Sequence, residues 1–495
     1  MDLFGGTVSG HTALLLVLAV GLALAFEFVN GFHDTANAVA TVIYTHSLKS
    51  HYAVIWSGFW NLAGVMTSTG AVAFSITSLL PVELVIKVGS AAGFAMVFSL
   101  LISAMIWNLG TWYLGLPASS SHTLIGSILG VGLANSWLSR GAGSSQGVNW
   151  SKAGEVGISM LVSPAIGFCC AGLLLLLAKR LIHKPELYRA PDSEKPPPLW
   201  IRSILIVTCT GVSFAHGSND GQKGMGLILL ILVGILPGSY ALNLGTHSGD
   251  IAAIVEASDR VDVIIAKRVS TAPSPEISAD AALSEYLNTQ GVPGPQTFSG
   301  FRTVNRRVRT TLGGVANLNA LAAAERVNLR SEVYLVSETI ARLIKTGQIT
   351  DPIERFTLHD YESKIDRITR FIPDWVKFCV AVALGLGTMI GWKRIVVTVG
   401  EKIGKEHLTY AQGAAAELVA MTTIGAADIF GLPVSTTHVL SSGVAGTMAA
   451  NHSGLQISTL RNLALAWVLT LPVCVFLGAA LFALVLNIII AIGLK

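Results

Sequence analysis

Two short runs carry the residues best suited to hold an anion. Ser119-Ser120-Ser121-His122 and Ser435-Thr436-Thr437-His438 each follow a Gly-Leu-Pro triplet, and each opens an apolar arm. Proline stops the segment before it, and serine or threonine then caps a new helix. A helix start offers free backbone N–H groups and about half a positive charge, which suits a tetrahedral oxyanion. The neighbouring hydroxyls add donors without net charge. One such run is explained by capping alone; two at membrane depth point to donors converging on an anion from opposite sides. Ser119, Ser120, Ser121, Ser435, Thr436 and Thr437 are therefore the candidate substrate contacts.

A second constellation is ionic. His33, Asp34 and Asn37 interrupt one apolar run, and Asn219, Asp220, Gln222 and Lys223 interrupt another. Ionisable groups inside spans are costly and mark functional sites. A helix broken at these points would free carbonyls that, with carboxylate and amide oxygens, make a hard-cation site. Asp428, just before the second Gly-Leu-Pro, joins this group as a candidate for cation or proton coupling. Glu27 and Glu417 are lone acids in apolar runs; each either carries a coupling proton or pairs with a buried base. No spacing in the chain implies a permanent metal site or a resident cofactor.

The elements that position these residues follow from composition. The chain has 495 residues, 52% hydrophobic and 13% charged, with 50 glycines. Soluble domains carry about 25% charged residues, so the expected fold class is an all-α polytopic membrane protein. A net charge of +4 gives no footprint for nucleic acid. The five cysteines lie in apolar runs and read as small core residues. The apolar run 12–28 has no basic region before it and no cleavage site after it, so it is expected to stay as the first span.

The apolar stretches form a long interrupted helix (12–44), a span (52–80), a hairpin around Gly115-Leu116-Pro117 (92–135) and a span (156–177). The order then repeats as 200–242, 375–392, a hairpin around Gly431-Leu432-Pro433 (408–450) and 463–492. Gly31-Phe32-His33-Asp34 also returns loosely as Gly217-Ser218-Asn219-Asp220. Each half is thus a broken helix, a span, a re-entrant helical hairpin and a span, giving about 10–12 membrane helices in all. Three crossings per half would invert the second repeat relative to the first, with the substrate at the repeat interface. The expected domains are a first transmembrane repeat (1–178), a cytoplasmic Pro/Lys linker (179–199), the start of the second repeat (200–242), a polar extramembrane insertion (243–372) and the remainder of the second repeat (373–495). The insertion contains a Pro/Ser-rich stretch at 271–275. Within it, 331–345 has helical apolar spacing at Val333, Leu335, Val336, Ile340 and Leu343. Basic loops at Lys49, at Lys179, Arg180 and Lys184, and at Lys393, Arg394, Lys402 and Lys405 fall on one side, the cytoplasm. The Glu83/Lys87 loop, the termini and the insertion fall outside.

These motifs resemble the inorganic phosphate transporter family. The runs Asn30-Gly31-Phe32-His33-Asp34-Thr35-Ala36-Asn37 and His216-Gly217-Ser218-Asn219-Asp220-Gly221-Gln222-Lys223-Gly224 are similar to its low-affinity bacterial Pit branch. The resemblance covers all but the insertion. It implies a multi-pass protein of the bacterial inner (plasma) membrane, a secondary active carrier of inorganic phosphate as a metal-phosphate complex, by proton symport, with hairpin tips at the phosphate. The implied partners are phosphate and the lipid bilayer, with a homodimer left open. Two departures matter. His33 stands where the common signature has Asn, and Lys223 stands four residues after Asn219 as Asn37 stands four after His33. Both remove a neutral oxygen ligand used for sodium. A lysine there would fill one cation site permanently by pairing with Asp220, leaving coupling to report through His33 and Asp34. Three alternatives stay open: a sodium-coupled phosphate symporter, a carrier of another tetrahedral oxyanion such as sulfate, and, remotely, an intramembrane hydrolase with Ser121 as nucleophile. The last lacks any Gly-x-Ser-x-Gly frame and would need one nucleophile rather than a duplicated motif.

Overall fold

A computed structural model describes residues 2–3, 6–7, 10–79, 90–138, 148–191, 196–269, 277–288 and 292–491, without the side chains of residues 2, 3, 6, 7, 11, 32, 34–37, 151 and 288. Glu83, Lys87 and the stretch 271–275 fall outside it. Apart from a two-residue strand pair (β1 Asp2–Leu3 with β2 Gly6–Thr7), its regular structure is helical. In chain order the helices are α1 Gly10–Tyr44, α2 Ser50–Thr67, α3 Ala71–Thr77, α4 Ala91–Tyr113, α5 Ser120–Leu138, α6 Trp150–Leu181, α7 Leu199–Ile235 and α8 Pro237–Tyr240. There follow α9 Ser248–Ala266, α10 Ala279–Asn288, α11 Thr297–Gly313, α12 Ala323–Lys345 and α13 Pro352–Thr369. The chain ends with α14 Asp374–Gly391, α15 Lys393–Glu401, α16 Tyr410–Ile429, α17 Thr436–Ala450 and α18 Ile457–Ala491. Six of them contain stretches long and apolar enough to cross a membrane: Thr12–Gly31, Ala91–Tyr113, Lys152–Leu181, Leu199–Ile235, Asp374–Gly391 and Ile457–Ala491.

The chain divides into two compact units. The larger comprises 17–81, 90–228 and 372–495. In it each half of the sequence packs on the other. α2 lies against α14, α6 against both arms of the second hairpin (α16 and α17), and α18 against both arms of the first (α4 and α5). Glycines set the closest of these approaches. A Cβ on Gly31 of α1 would sit 2.3 Å from the Leu384 carbonyl of α14, and one on Gly217 of α7 would sit 2.1 Å from the Asn61 carbonyl of α2. Gly31 and Gly217 are the first residues of the loosely repeated signature, and each packs on a helix of the other half.

Both hairpins turn in the same way. Gly115 and Gly431 take positive φ, 67° and 63°. The Leu116 N–H donates to the Thr111 carbonyl (2.9 Å) and the Leu432 N–H to the Ala427 carbonyl (2.8 Å). This is the Schellman end that glycine favours, and proline then prevents either helix from continuing.

The expected breaks in the first helix of each half do not occur. α1 and α7 run without interruption through His33 and through Asn219 to Lys223. Hydropathy falls there, but the polar side chains find partners on neighbouring helices or one turn away on their own. Nothing is gained by releasing backbone groups inside an apolar medium. The cysteines also depart in part from expectation: Cys209 and Cys474 are buried and Cys379 is half-buried, whereas Cys169 and Cys170 lie exposed on α6.

The other unit contains 229–371. Its helices α9 to α13 enclose their own core, including Phe301, Val304, Val308, Leu358, Tyr361 and Ile365. The helical spacing anticipated at Val333, Leu335, Val336, Ile340 and Leu343 is the buried face of α12. A paired Arg302–Asp262 contact (2.9 and 2.8 Å) and an Arg307–Glu332 ion pair (3.0 Å) tie its helices together.

Candidate functional site

The two hairpin tips meet. Ser121 Oγ, in the first turn of α5, donates to the Val434 carbonyl just ahead of α17, 2.8 Å away. The first hydroxyl of each triplet is a cap: Ser119 Oγ accepts from the His122 N–H (3.2 Å) and Ser435 Oγ from the His438 N–H (3.1 Å). The remaining hydroxyls are buried with them. Ser120 Oγ donates to Asn30 Oδ1 at 2.5 Å, while Thr436 Oγ1 has no hydrogen-bond partner. A buried hydroxyl without a partner is costly, and here it stands at a helix start, where an anion would accept from it. The His122 and His438 rings lie in tilted contact with centroids 4.6 Å apart, and His438 meets Trp467 of α18, also tilted, at 4.1 Å. Trp467 Nε1 donates to the Pro117 carbonyl (3.0 Å), so α18 fastens both tips.

Against these tips α1 and α7 present the ionic residues. His33 Nε2 is 2.6 Å from the Asn108 carbonyl of α4. Asn219 Nδ2 donates to the Leu432 carbonyl (3.2 Å), and its Oδ1 is unpartnered. Asp428 accepts from Ser218 Oγ (2.5 Å) and Gln222 Nε2 (2.6 Å), while Gln222 Oε1 accepts from the Val72 N–H (2.8 Å). Each signature thus reaches the hairpin of its own half. The side chains of Asp34 and Asn37 lie outside the described residues.

Lys223 does not reach for an interface. Its Nζ lies 2.7 Å from Asp220 Oδ2, with both side chains 0% exposed. The pair is close in distance but not aligned as a hydrogen bond. His216 Nε2 is 3.5 Å from the same carboxylate oxygen, and His216 Nδ1 is 2.6 Å from Asn61 Oδ1. Two charges buried together are tolerated because each supplies the other's missing solvation.

Sequence reasoning passed over Asn30, Asn61 and Asn108. Each is an amide in an otherwise apolar stretch, and each is now a fully buried link between helices. Isolated amides at membrane depth were the available signal. Glu417 accepts hydroxyl hydrogen bonds from Thr41 and Thr208, joining α16 to α1 and α7. Glu27 accepts from Asn30 Nδ2 at 3.3 Å.

Known proteins are similar to this chain over nearly its whole length. A family model described as the phosphate transporter family matches residues 30–478. The chain is 40% identical to the low-affinity inorganic phosphate transporter PitB of Escherichia coli (strain K12), across 99% of this chain and 100% of that one. It is also 40% identical to PitA of the same organism, across 98% and 99%. A solved structure described as "The sodium-dependent phosphate transporter" has the same fold with a TM-score of 0.52, at 21% identity over 95% of this chain and 98% of that chain. With a family match spanning most of its length and relatives aligned end to end, this chain belongs to the phosphate transporter family.

Proposed function

We propose that the chain imports inorganic phosphate by proton symport, as a metal-phosphate complex, with the anion held between the two hairpin tips. It is a multi-pass protein of the bacterial inner membrane, and its relatives are named as transporters rather than enzymes. The observation that carries the reading is the meeting of two hydroxyl-bearing helix starts at the Ser121–Val434 contact. Ser120, Ser121, Thr436 and Thr437 would donate to phosphate, while Ser119 and Ser435 hold the helix starts in place. Donors with partial charges suit a cargo that must bind and leave. A divalent ion on the phosphate would lower the cost of bringing a dianion into a low-dielectric site, and Asp428 lies beside the second tip to meet it.

Proton rather than sodium coupling is supported by the chemistry of the signatures. Sodium wants neutral and anionic oxygens. Lys223 sits as a resident ammonium on Asp220, and His33 offers a nitrogen committed to a carbonyl. We also read the two halves as inverted repeats, for which the exchange of packing partners between halves is the support, and 243–372 as an extramembrane insertion with its own core.

Labelled-phosphate uptake into proteoliposomes holding the full chain tests this, with and without Mg²⁺ and with either a proton or a sodium gradient imposed. Uptake should follow the proton gradient and rise with Mg²⁺. Uptake that follows only sodium would overturn the coupling, and indifference to Mg²⁺ would overturn the metal-phosphate cargo.

A further inference from the structure

Glu27 is fully buried on α1, and neither the tips nor the cation signatures account for it. Its Oε2 accepts from Asn30 Nδ2, whose partner atom Oδ1 accepts from Ser120 of the first tip. Glu27 Oε1 makes no well-aligned hydrogen bond, with the Gly224 N–H of α7 the backbone donor beside the carboxyl. Gly224 of α7 makes room for the carboxyl: a Cβ there would lie 2.2 Å from Glu27 Cγ. Lys223 and Asp220, one and four residues earlier on α7, are close enough for their fields to act on Glu27.

Among the described side chains, this cluster holds two carboxylates, Glu27 and Asp220, and one ammonium, Lys223. The ammonium is spoken for, since Lys223 makes its ion pair with Asp220. Glu27 has no cation of its own, and a buried carboxylate without one is costly. From the other elements packed here, the first tip contributes His122, which also feels Lys223. α14 meets α1 through Leu384, Gly387 and Thr388, none of them titratable. On α7, His216 is turned to Asn61 and Asp220; on α1, His33 is engaged with Asn108. Asp34 follows two turns along α1.

We propose that Glu27 is the seat of the co-transported proton. This rests on the proton-symport reading and names its residue. A proton from the outer side adds to Oε1, turning carboxylate to carboxylic acid, and leaves from the same oxygen to the inner side. Neutral Glu27 leaves Asn30 free to orient Ser120 toward the tips; ionised Glu27 draws the Asn30 amide to itself. The proton and the phosphate-binding hydroxyl are thereby joined through one side chain. Gly224, the last residue of the second signature, is the device that lets a glutamate fit between α1 and α7.

The test compares Glu27→Gln with the parent chain, both full length in proteoliposomes. Two readouts are used: accumulation of labelled phosphate under an imposed proton gradient, and phosphate counterflow without a gradient across a range of pH. Glu27→Gln should lose gradient-driven accumulation at least tenfold, and its residual counterflow should no longer change with pH. Glu27→Asp, which keeps a carboxyl, should restore part of both. Accumulation that persists in Glu27→Gln overturns the proposal. So does pH dependence that survives in Glu27→Gln but vanishes in His216→Gln, which would move the proton to His216. If Glu27→Gln and Glu27→Asp are both inert in counterflow, Glu27 is structural and the proposal falls. A parent chain indifferent to the proton gradient would instead overturn proton symport itself.

Discussion

Lys223 and Asp220 form a contact whose strength can be worked out and measured. At 2.7 Å, and with the effective dielectric constant of about 20 that describes buried sites, their attraction is about 6 kcal/mol. Part of that only offsets the cost of burying them. Removing one partner strands the other charge, and such losses run to about 3–5 kcal/mol. Lys223→Met and Asp220→Asn should therefore each lower the folded-to-unfolded ratio by roughly 10²–10⁴-fold. The double variant Lys223→Met with Asp220→Asn leaves no stranded charge, so it should lose less than the sum of the two and less than Lys223→Met alone. Unfolding of the purified chain by denaturing detergent, followed by far-UV circular dichroism, reads these differences. A Lys223→Met variant as stable as the parent, or strictly additive losses in the double variant, would refute the pairing. The ammonium would then be reaching solvent along its stem.

Three further outcomes follow from the same geometry. Asp34→Asn should abolish accumulation of phosphate against its gradient in cells with membrane protein levels unchanged, and Asp220→Asn, which also strands Lys223, should abolish it when uptake is counted per folded protein; normal accumulation in either removes that residue from the coupling role. His33→Asn combined with Lys223→Asn restores neutral oxygen ligands at both signatures, so uptake should become sodium-stimulated and less dependent on a pH difference, measured as the ratio of the two driven rates. In the 229–371 unit, Asp262 is held below the ordinary carboxylate range by the two N–H bonds from Arg302. The folded state thus favours the ionised form, a contribution present at neutral pH and lost as the pH falls below about 4; Arg302→Gln should flatten that acid limb in a thermal melt read across pH.

Much of the scaffold was legible before any coordinates. Gly-Leu-Pro followed by serine or threonine is punctuation that acts locally: glycine supplies the positive φ, proline stops the helix, and the hydroxyl caps the next one. Both hairpins could be placed from that alone. The helical apolar spacing from Val333 to Leu343 likewise marked the buried face of α12, because most of the residues between are polar or charged.

The rest depended on partners distant in sequence. His33, Asn219 and Asp220 lower the hydropathy of their runs, which suggested broken helices. The structure instead sets them against Asn108 on α4, Leu432 at the second tip and Lys223 one turn along α7. A hydropathy profile records the polarity of a side chain and not whether another helix answers it. Asn30 was invisible as a link for the same reason, since Ser120 lies 90 positions away. The misplaced Cys169 and Cys170 reflect the solvent: a helix facing lipid and a helix facing the core are both apolar, so composition does not separate them.

The central claim is that phosphate sits between the hairpin tips. Initial rates of labelled-phosphate uptake against concentration, at equal amounts of protein, test it directly in Ser120→Ala and Thr436→Ala. A hydrogen bond to a charged group contributes about 1.5–3 kcal/mol, so each variant should raise the KM at least about tenfold. An unchanged KM in both would contradict the account.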